Sequence, residues 1–206
     1  MDDDPRPSTE ERHTTDVLVW DVPSAIEAGE RFRIKVGIKC SGECDLANRA
    51  FEIHDHDGTP TAAATLCGDC WPGTAGLHVA EVELEAPALE GLYSWRASVR
   101  ESDTGVPHAE ASFAFGVRVV RHAECTVTVE AVDSVDRTPL VGARVVMHPY
   151  RAVTDDRGVA RMRVTKGAYT LFISQTAYVT FALAVDVDAD MAASAELSLE
   201  PLVERN

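Results

Sequence analysis

The chain has 206 residues, 45% of them hydrophobic, and sets 34 acidic against 19 basic side chains for a net charge of −15. So acidic a surface repels phosphate backbones and anionic headgroups, which excludes nucleic-acid binding and membrane-surface binding as expectations. The length suits one large domain or two of about 100 residues; the acid keeps a β surface soluble, or faces a basic partner.

Residues 1–15, MDDDPRPSTEERHTT, have neither an apolar core nor a positive run. They read as a disordered acidic tail, not a secretory signal or anchor. No later stretch reaches the about 18 apolar residues of a spanning helix, so no membrane insertion is expected. The expected compartment is the cytoplasm, where thiols stay reduced.

From Asp16 onward the pattern alternates with the period of strands. Phe32, Ile34, Val36, Ile38 and Cys40 share one parity, with Arg31, Arg33, Lys35 and Lys39 on the other. Val82 and Leu84 alternate with Glu81, Glu83 and Glu85, and Tyr93, Trp95, Ala97 and Val99 share another face. Turn signals separate these runs at Asp57-Gly58, Pro72-Gly73, Glu90-Gly91 and Thr104-Gly105. Ala111 to Val120 reads as the last strand of a first sandwich, and alternation restarts at Cys125 after the short junction Arg121-His122-Ala123-Glu124. The predicted fold is all-β: two tandem Ig-like or transthyretin-like β-sandwiches over residues 16–121 and 122–206, held semi-rigidly by that junction.

In the second half, three turn elements come in order. They are Pro139-Leu140-Val141-Gly142-Ala143, the hairpin turn Thr154-Asp155-Asp156-Arg157-Gly158, and Gly167-Ala168-Tyr169-Thr170-Leu171, with Tyr178 following. This series closely resembles the carboxypeptidase-regulatory-like family, related in shape to Cna-B and transthyretin-type sandwiches. Ala177 stands where that family often has glycine. The resemblance covers about 75 residues and implies a fold, with roles as spacer, folding support or interaction surface. The hydroxyisourate hydrolases of transthyretin shape end in a Tyr-Arg-Gly-Ser-type tail; this chain ends Leu202-Val203-Glu204-Arg205-Asn206, so that activity is not carried over. In the first half, Gly29-Glu30 and the run Gly91-Leu92-Tyr93-Ser94-Trp95 resemble a bacterial Ig-like sandwich.

Cysteines supply the chemistry. Cys40 and Cys44 follow one strand, and Cys67 and Cys70 follow another. If residues 32–39 run up, 50–56 down and 61–66 up, both pairs reach the same end of the sandwich. Four thiolates there would satisfy a tetrahedral structural Zn²⁺. Disulfides, and independent core thiols, remain open alternatives. A redox-active Cys67-Gly68-Asp69-Cys70 lacks a thioredoxin-like setting, and Cys125 reads as core.

His54 and His56 would share a strand face as a two-histidine metal site needs, yet they flank an Asp-Gly turn on the polar parity. His108, His122 and His148 are isolated in the sequence. The run Asp186-Val187-Asp188-Ala189-Asp190 lacks the glycine and distal glutamate of a calcium loop. The expected function is a non-catalytic accessory or structural subunit that docks on a larger protein partner. The alternatives are a carbohydrate or small-ligand module, for which Trp71 is the candidate aromatic, and a small metalloenzyme using His54 and His56.

Overall fold

The computed structural model describes residues 13–42, 44–101 and 107–201, and every regular element among them is a strand. In chain order these are β1 (Thr15–Trp20), β2 (Ile26–Glu27), β3 (Arg31–Cys40), β4 (Ala50–His54), β5 (Pro60–Thr65), β6 (Leu77–Glu85), β7 (Gly91–Val99) and β8 (Ala111–Val120). The remainder are β9 (Cys125–Asp133), β10 (Arg144–Met147), β11 (Tyr150–Val153), β12 (Val159–Val164), β13 (Gly167–Ser174), β14 (Phe181–Val187) and β15 (Met191–Leu197). The chain divides into two compact units, the first holding β1 and β3 to β8 as far as Arg118, the second β9 to β15 with β2. Val119 and Val120, at the end of β8, pair in parallel with β2 and belong to the second unit.

The first unit is a sandwich. One sheet runs β1-β3-β6, all antiparallel, and the other orders β8-β7-β4-β5. Alternation decides which side chains close the space between them. Phe32, Ile34, Val36, Ile38 and Cys40 of β3 are buried, as are Val82 and Leu84 of β6. They face Phe51, Ile53, Trp95, Ala97, Val99, Phe115 and Val117 from the other sheet. The rings of Phe32 and Trp95 meet across the layer at 6.0 Å, and Trp95 and Phe115 continue the stack at 6.3 Å. On the wet face of the first sheet, Arg33 is paired with Glu81 and Glu83.

Thr15 opens β1 and is buried, so the tail expected over residues 1–15 ends earlier; residues 1–12 lie outside the described chain, as do the Thr104-Gly105 turn signal and the 202–206 terminus. Strand pairing reaches back to Thr15 because it is the next inward position before Val17.

The second unit is also a sandwich, of sheets β11-β10-β13-β14 and β12-β9-β15, with β9 and β15 parallel. Its core joins Val127, Val129 and Ala131 to Val145, Met147, Leu171 and Ile173, with Met162, Val164 and Leu197 closing the layer. The turn elements weld it. Buried Thr154 accepts a bond from the Ala143 amide at 2.8 Å and donates to the Leu140 carbonyl at 2.5 Å, tying the first turn element to the second. Gly158 has φ +74°, and a Cβ there would lie 2.6 Å from the Ala131 carbonyl oxygen, so only glycine fits. Asp155 accepts from the amides of Arg157 and Val159, which closes the hairpin turn and holds its carboxyl below the usual range. Cys125 is buried in this core.

Candidate metal centre

Strand β3 is central in its sheet, with β1 on one side and β6 on the other. Its last residue, Cys40, pairs with Thr15, the first of β1. The pairing does not stop there: the Ser41 amide donates to the Thr14 carbonyl at 3.0 Å, and the Thr14 amide to the Ser41 hydroxyl at 3.1 Å. Continued one step, this register sets His13 against Gly42. A second connection fixes His13 from the other side. Its amide donates to the Pro107 carbonyl and its carbonyl accepts from the Ala109 amide, both at 2.9 Å, so His13 and His108 form a parallel bridge. Their rings meet edge to face at 5.8 Å.

The outcome is a convergence of His13, Cys40, Cys44 and His108, whose ligand atoms all lie within 4.8 Å of one another. Cys40 and His108 are buried, and His13 and Cys44 are partly so. His13 Nδ1 lies 3.2 Å from Cys44 Sγ and 3.3 Å from Cys40 Sγ. In a tetrahedral zinc site with ordinary Zn–S and Zn–N lengths, neighbouring sulfur and nitrogen ligands stand about 3.5 Å apart, so these separations are near the required ones. The Gly42 amide donates to Cys40 Sγ at 3.3 Å, the kind of bond that steadies a thiolate in a metal site.

Burial pushes the Cys44 thiol up, and its hydrogen bond and charge coupling with Cys40 push it further. Two adjacent thiols without a cation resist ionising together; a divalent ion reverses that balance. Two thiols and two imidazoles from separate segments form a donor set that could hold a metal ion.

All five cysteines are free. Of the four cysteines grouped by spacing, Cys40 and Cys44 meet two histidines, and Cys67 and Cys70 are not in that cluster. β3 and β4 lie in different sheets, and the segment after β5 runs along β6, where the Cys67 amide bonds the Val79 carbonyl at 3.1 Å and the Trp71 amide the Leu77 carbonyl at 2.7 Å. Cys40 instead turns toward β1. His108, isolated in the sequence, is a member of the cluster.

His54 and His56 both line one cavity, beside Arg96, Ser98 and Glu110, and each has contacts of its own. β4 ends at His54, with a register irregularity between Ile53 and His54, so alternation no longer relates the two. His56 meets Tyr93 in a tilted contact at 4.7 Å and lies between Asp55 and Asp57, whose ligand atoms are close to its own, on an exposed turn. His54 Nδ1 is 3.3 Å from Ser98 Oγ, and its Nε2 is 3.4 Å from Glu52 Oε2. This line has the order of a nucleophile–base–carboxylate relay. Glu52, however, is committed to Arg100 at 2.7 Å, and the amides of β4 and β7 are engaged in their ladder, not gathered as oxyanion donors. Asp190 accepts from the Thr126 amide at 2.7 Å, which gives the acidic run at the end of β14 a structural part.

No family model matches the chain, and no curated protein matches it. Among solved structures it is similar to the CARDB domain of PF1109 from Pyrococcus furiosus. The solution structure of that domain gives 19% identity over 53% of this chain and 97% of that one, with a TM-score of 0.41. Its crystal form in complex with di-metal ions gives 22% identity over 52% and 87%, with a TM-score of 0.38. BcpA, the major pilin subunit of Bacillus cereus, gives 12% identity over 92% and 71%, with a TM-score of 0.34. At such scores the overlap is loose and fixes neither family nor function.

Proposed function

We propose that the chain is a non-catalytic accessory module of two tandem β-sandwiches, whose first sandwich is pinned by a structural zinc ion held by His13, Cys40, Cys44 and His108. The observation that carries this reading is their convergence from three separate stretches of chain, with all ligand atoms within 4.8 Å. An ion there would tie the start of β1, the end of β3 and the approach to β8 together, as a disulfide ties distant loops. The second sandwich is the carboxypeptidase-regulatory-like partner, supported by its turn elements: Thr154 bonding across two of them, and Gly158 at a position only glycine fits. A net charge of −15 favours a larger protein partner with a basic face. A reducing compartment such as the cytoplasm would keep the cysteine thiols available to a metal ion.

A carbohydrate platform is less well supported. Trp71 is 39% exposed, but its ring stands at 85° to Trp20 and Lys35 Nζ caps it at 5.5 Å. A stacking sugar needs an open, flat aromatic face. Metal analysis of the purified chain tests the main reading: bound zinc that is lost together with thermal stability on chelation supports it, and metal-free protein of unchanged stability opposes it.

A further inference from the structure

We propose that Cys67, Cys70 and His78 form a second zinc site, distinct from the His13, Cys40, Cys44 and His108 centre. His78 is the starting point, because a histidine only 3% exposed on the inward face of β6 requires an explanation. Its Nδ1 lies 3.2 Å from the Cys67 carbonyl oxygen. A carbonyl only accepts, so Nδ1 carries the hydrogen. The Leu46 amide donates to Nε2 at 3.3 Å, which requires a lone pair there. In this arrangement one ring nitrogen is anchored to backbone as a donor and the other is an acceptor. Metal-ligating histidines take this state.

That lone pair faces ligands. Cys70 Sγ is 3.7 Å from Nε2, and Asp45 Oδ1 is also 3.7 Å away. The Cys67–Cys70 turn is fastened along β6: Cys70 forms a bridge with His78, and the Cys67 and Trp71 amides bond the Val79 and Leu77 carbonyls. Backbone positions are thus set and both cysteines are exposed, so the set closes on an ion only if the Cys67 side chain turns toward Nε2. Cys-x-x-Cys is the spacing with which two thiolates chelate one ion. The long bond from Leu46 is the contact that yields when metal binds. Two thiolates and one imidazole make three protein ligands, and Asp45 or water completes the tetrahedron. The four cysteines then serve two ions, each with histidine help.

The test is metal counting on the full chain, purified without metal and loaded with Co²⁺, by elemental analysis and the thiolate-to-cobalt absorption band. The expected result is about two cobalt per chain, falling to about one in Cys67→Ser/Cys70→Ser and in His78→Ala, and to about one in His13→Ala/His108→Ala. Both altered cysteines are exposed, so the double serine variant should keep the fold even if the buried His78→Ala does not. About one cobalt in the wild type, unchanged by Cys67→Ser/Cys70→Ser, overturns the second site and leaves the first. About one cobalt that survives His13→Ala/His108→Ala but not Cys67→Ser/Cys70→Ser supports this site and overturns the first. A single ion lost equally on removal of either cysteine pair, with His78→Ala inert, overturns it in favour of a four-sulfur centre.

Discussion

The His13 ring occupies the space where a side chain at Gly42 would begin: a Cβ built there would lie 2.1 Å from His13 Cε1 and 2.5 Å from Nδ1. Strand register sets the two residues against each other, so a Cβ at Gly42 forces the ring to move. Gly42→Ala should expel His13 from the cluster and weaken zinc binding by at least about tenfold, the effect of losing a ligand's support. Competition with a chromophoric chelator measures it, and unchanged affinity would show that His13 is no ligand.

Ala177 carries φ +69° on an exposed turn, at the position where the family it resembles often has glycine. A left-handed alanine costs about 1–2 kcal/mol, and glycine's extra freedom in the unfolded chain returns part of that. Ala177→Gly should therefore stabilise the second sandwich by about 0.5–1 kcal/mol. Urea denaturation of the variant checks the sign.

Thr154→Val keeps the shape and removes the hydroxyl that joins the Ala143 amide to the Leu140 carbonyl. Both backbone groups would be left without that partner in a buried place, at a cost of about 2 kcal/mol. Thr154→Ser, which retains the hydroxyl, should recover most of it. Equal losses in the two variants would assign the effect to packing instead.

The Tyr178 hydroxyl donates to Asp133 Oδ2 at 2.9 Å. Bonds from the Val135 amide and then from Tyr178 hold the Asp133 carboxyl below its ordinary value of 3.8, so its stabilisation is complete above that value and drains as pH falls through the lower folded one. Its bond to Asp133 holds the Tyr178 phenol above 10.0, so that stabilisation is complete below 10.0 and is lost as pH rises through the higher folded value. The stability difference between wild type and Tyr178→Phe should be flat between about pH 5 and 9 and shrink on both sides. A difference independent of pH would detach the phenol from the carboxylate.

Much of this architecture is legible in the sequence because burial and strand period coincide. Phe32 to Cys40 and Ala111 to Val120 are strands over the residues that alternation marks, and the turn glycine Gly158 sits where its φ requires. The metal cluster was less legible, for two reasons. Thr15 and Val17 lie on the buried parity, and one more step back reaches His13, but the charged text before it hides that step. His108 joins through a bridge to a residue far away in sequence, which no local period encodes. Spacing found Cys40 with Cys44 and Cys67 with Cys70, yet spacing is silent on strand register, which continues from Cys40 and Thr15 to bring His13 to the cluster. Period two cannot place His56 relative to His54, because β4 ends at His54.

X-ray absorption on the zinc-loaded Cys67→Ser/Cys70→Ser protein tests the central claim most directly, because it leaves the first centre as the cysteine–histidine site to be read. Two sulfurs at about 2.3 Å and two imidazole nitrogens at about 2.0–2.1 Å are expected. A shell of nitrogen and oxygen alone, or a variant that no longer holds zinc, would contradict it.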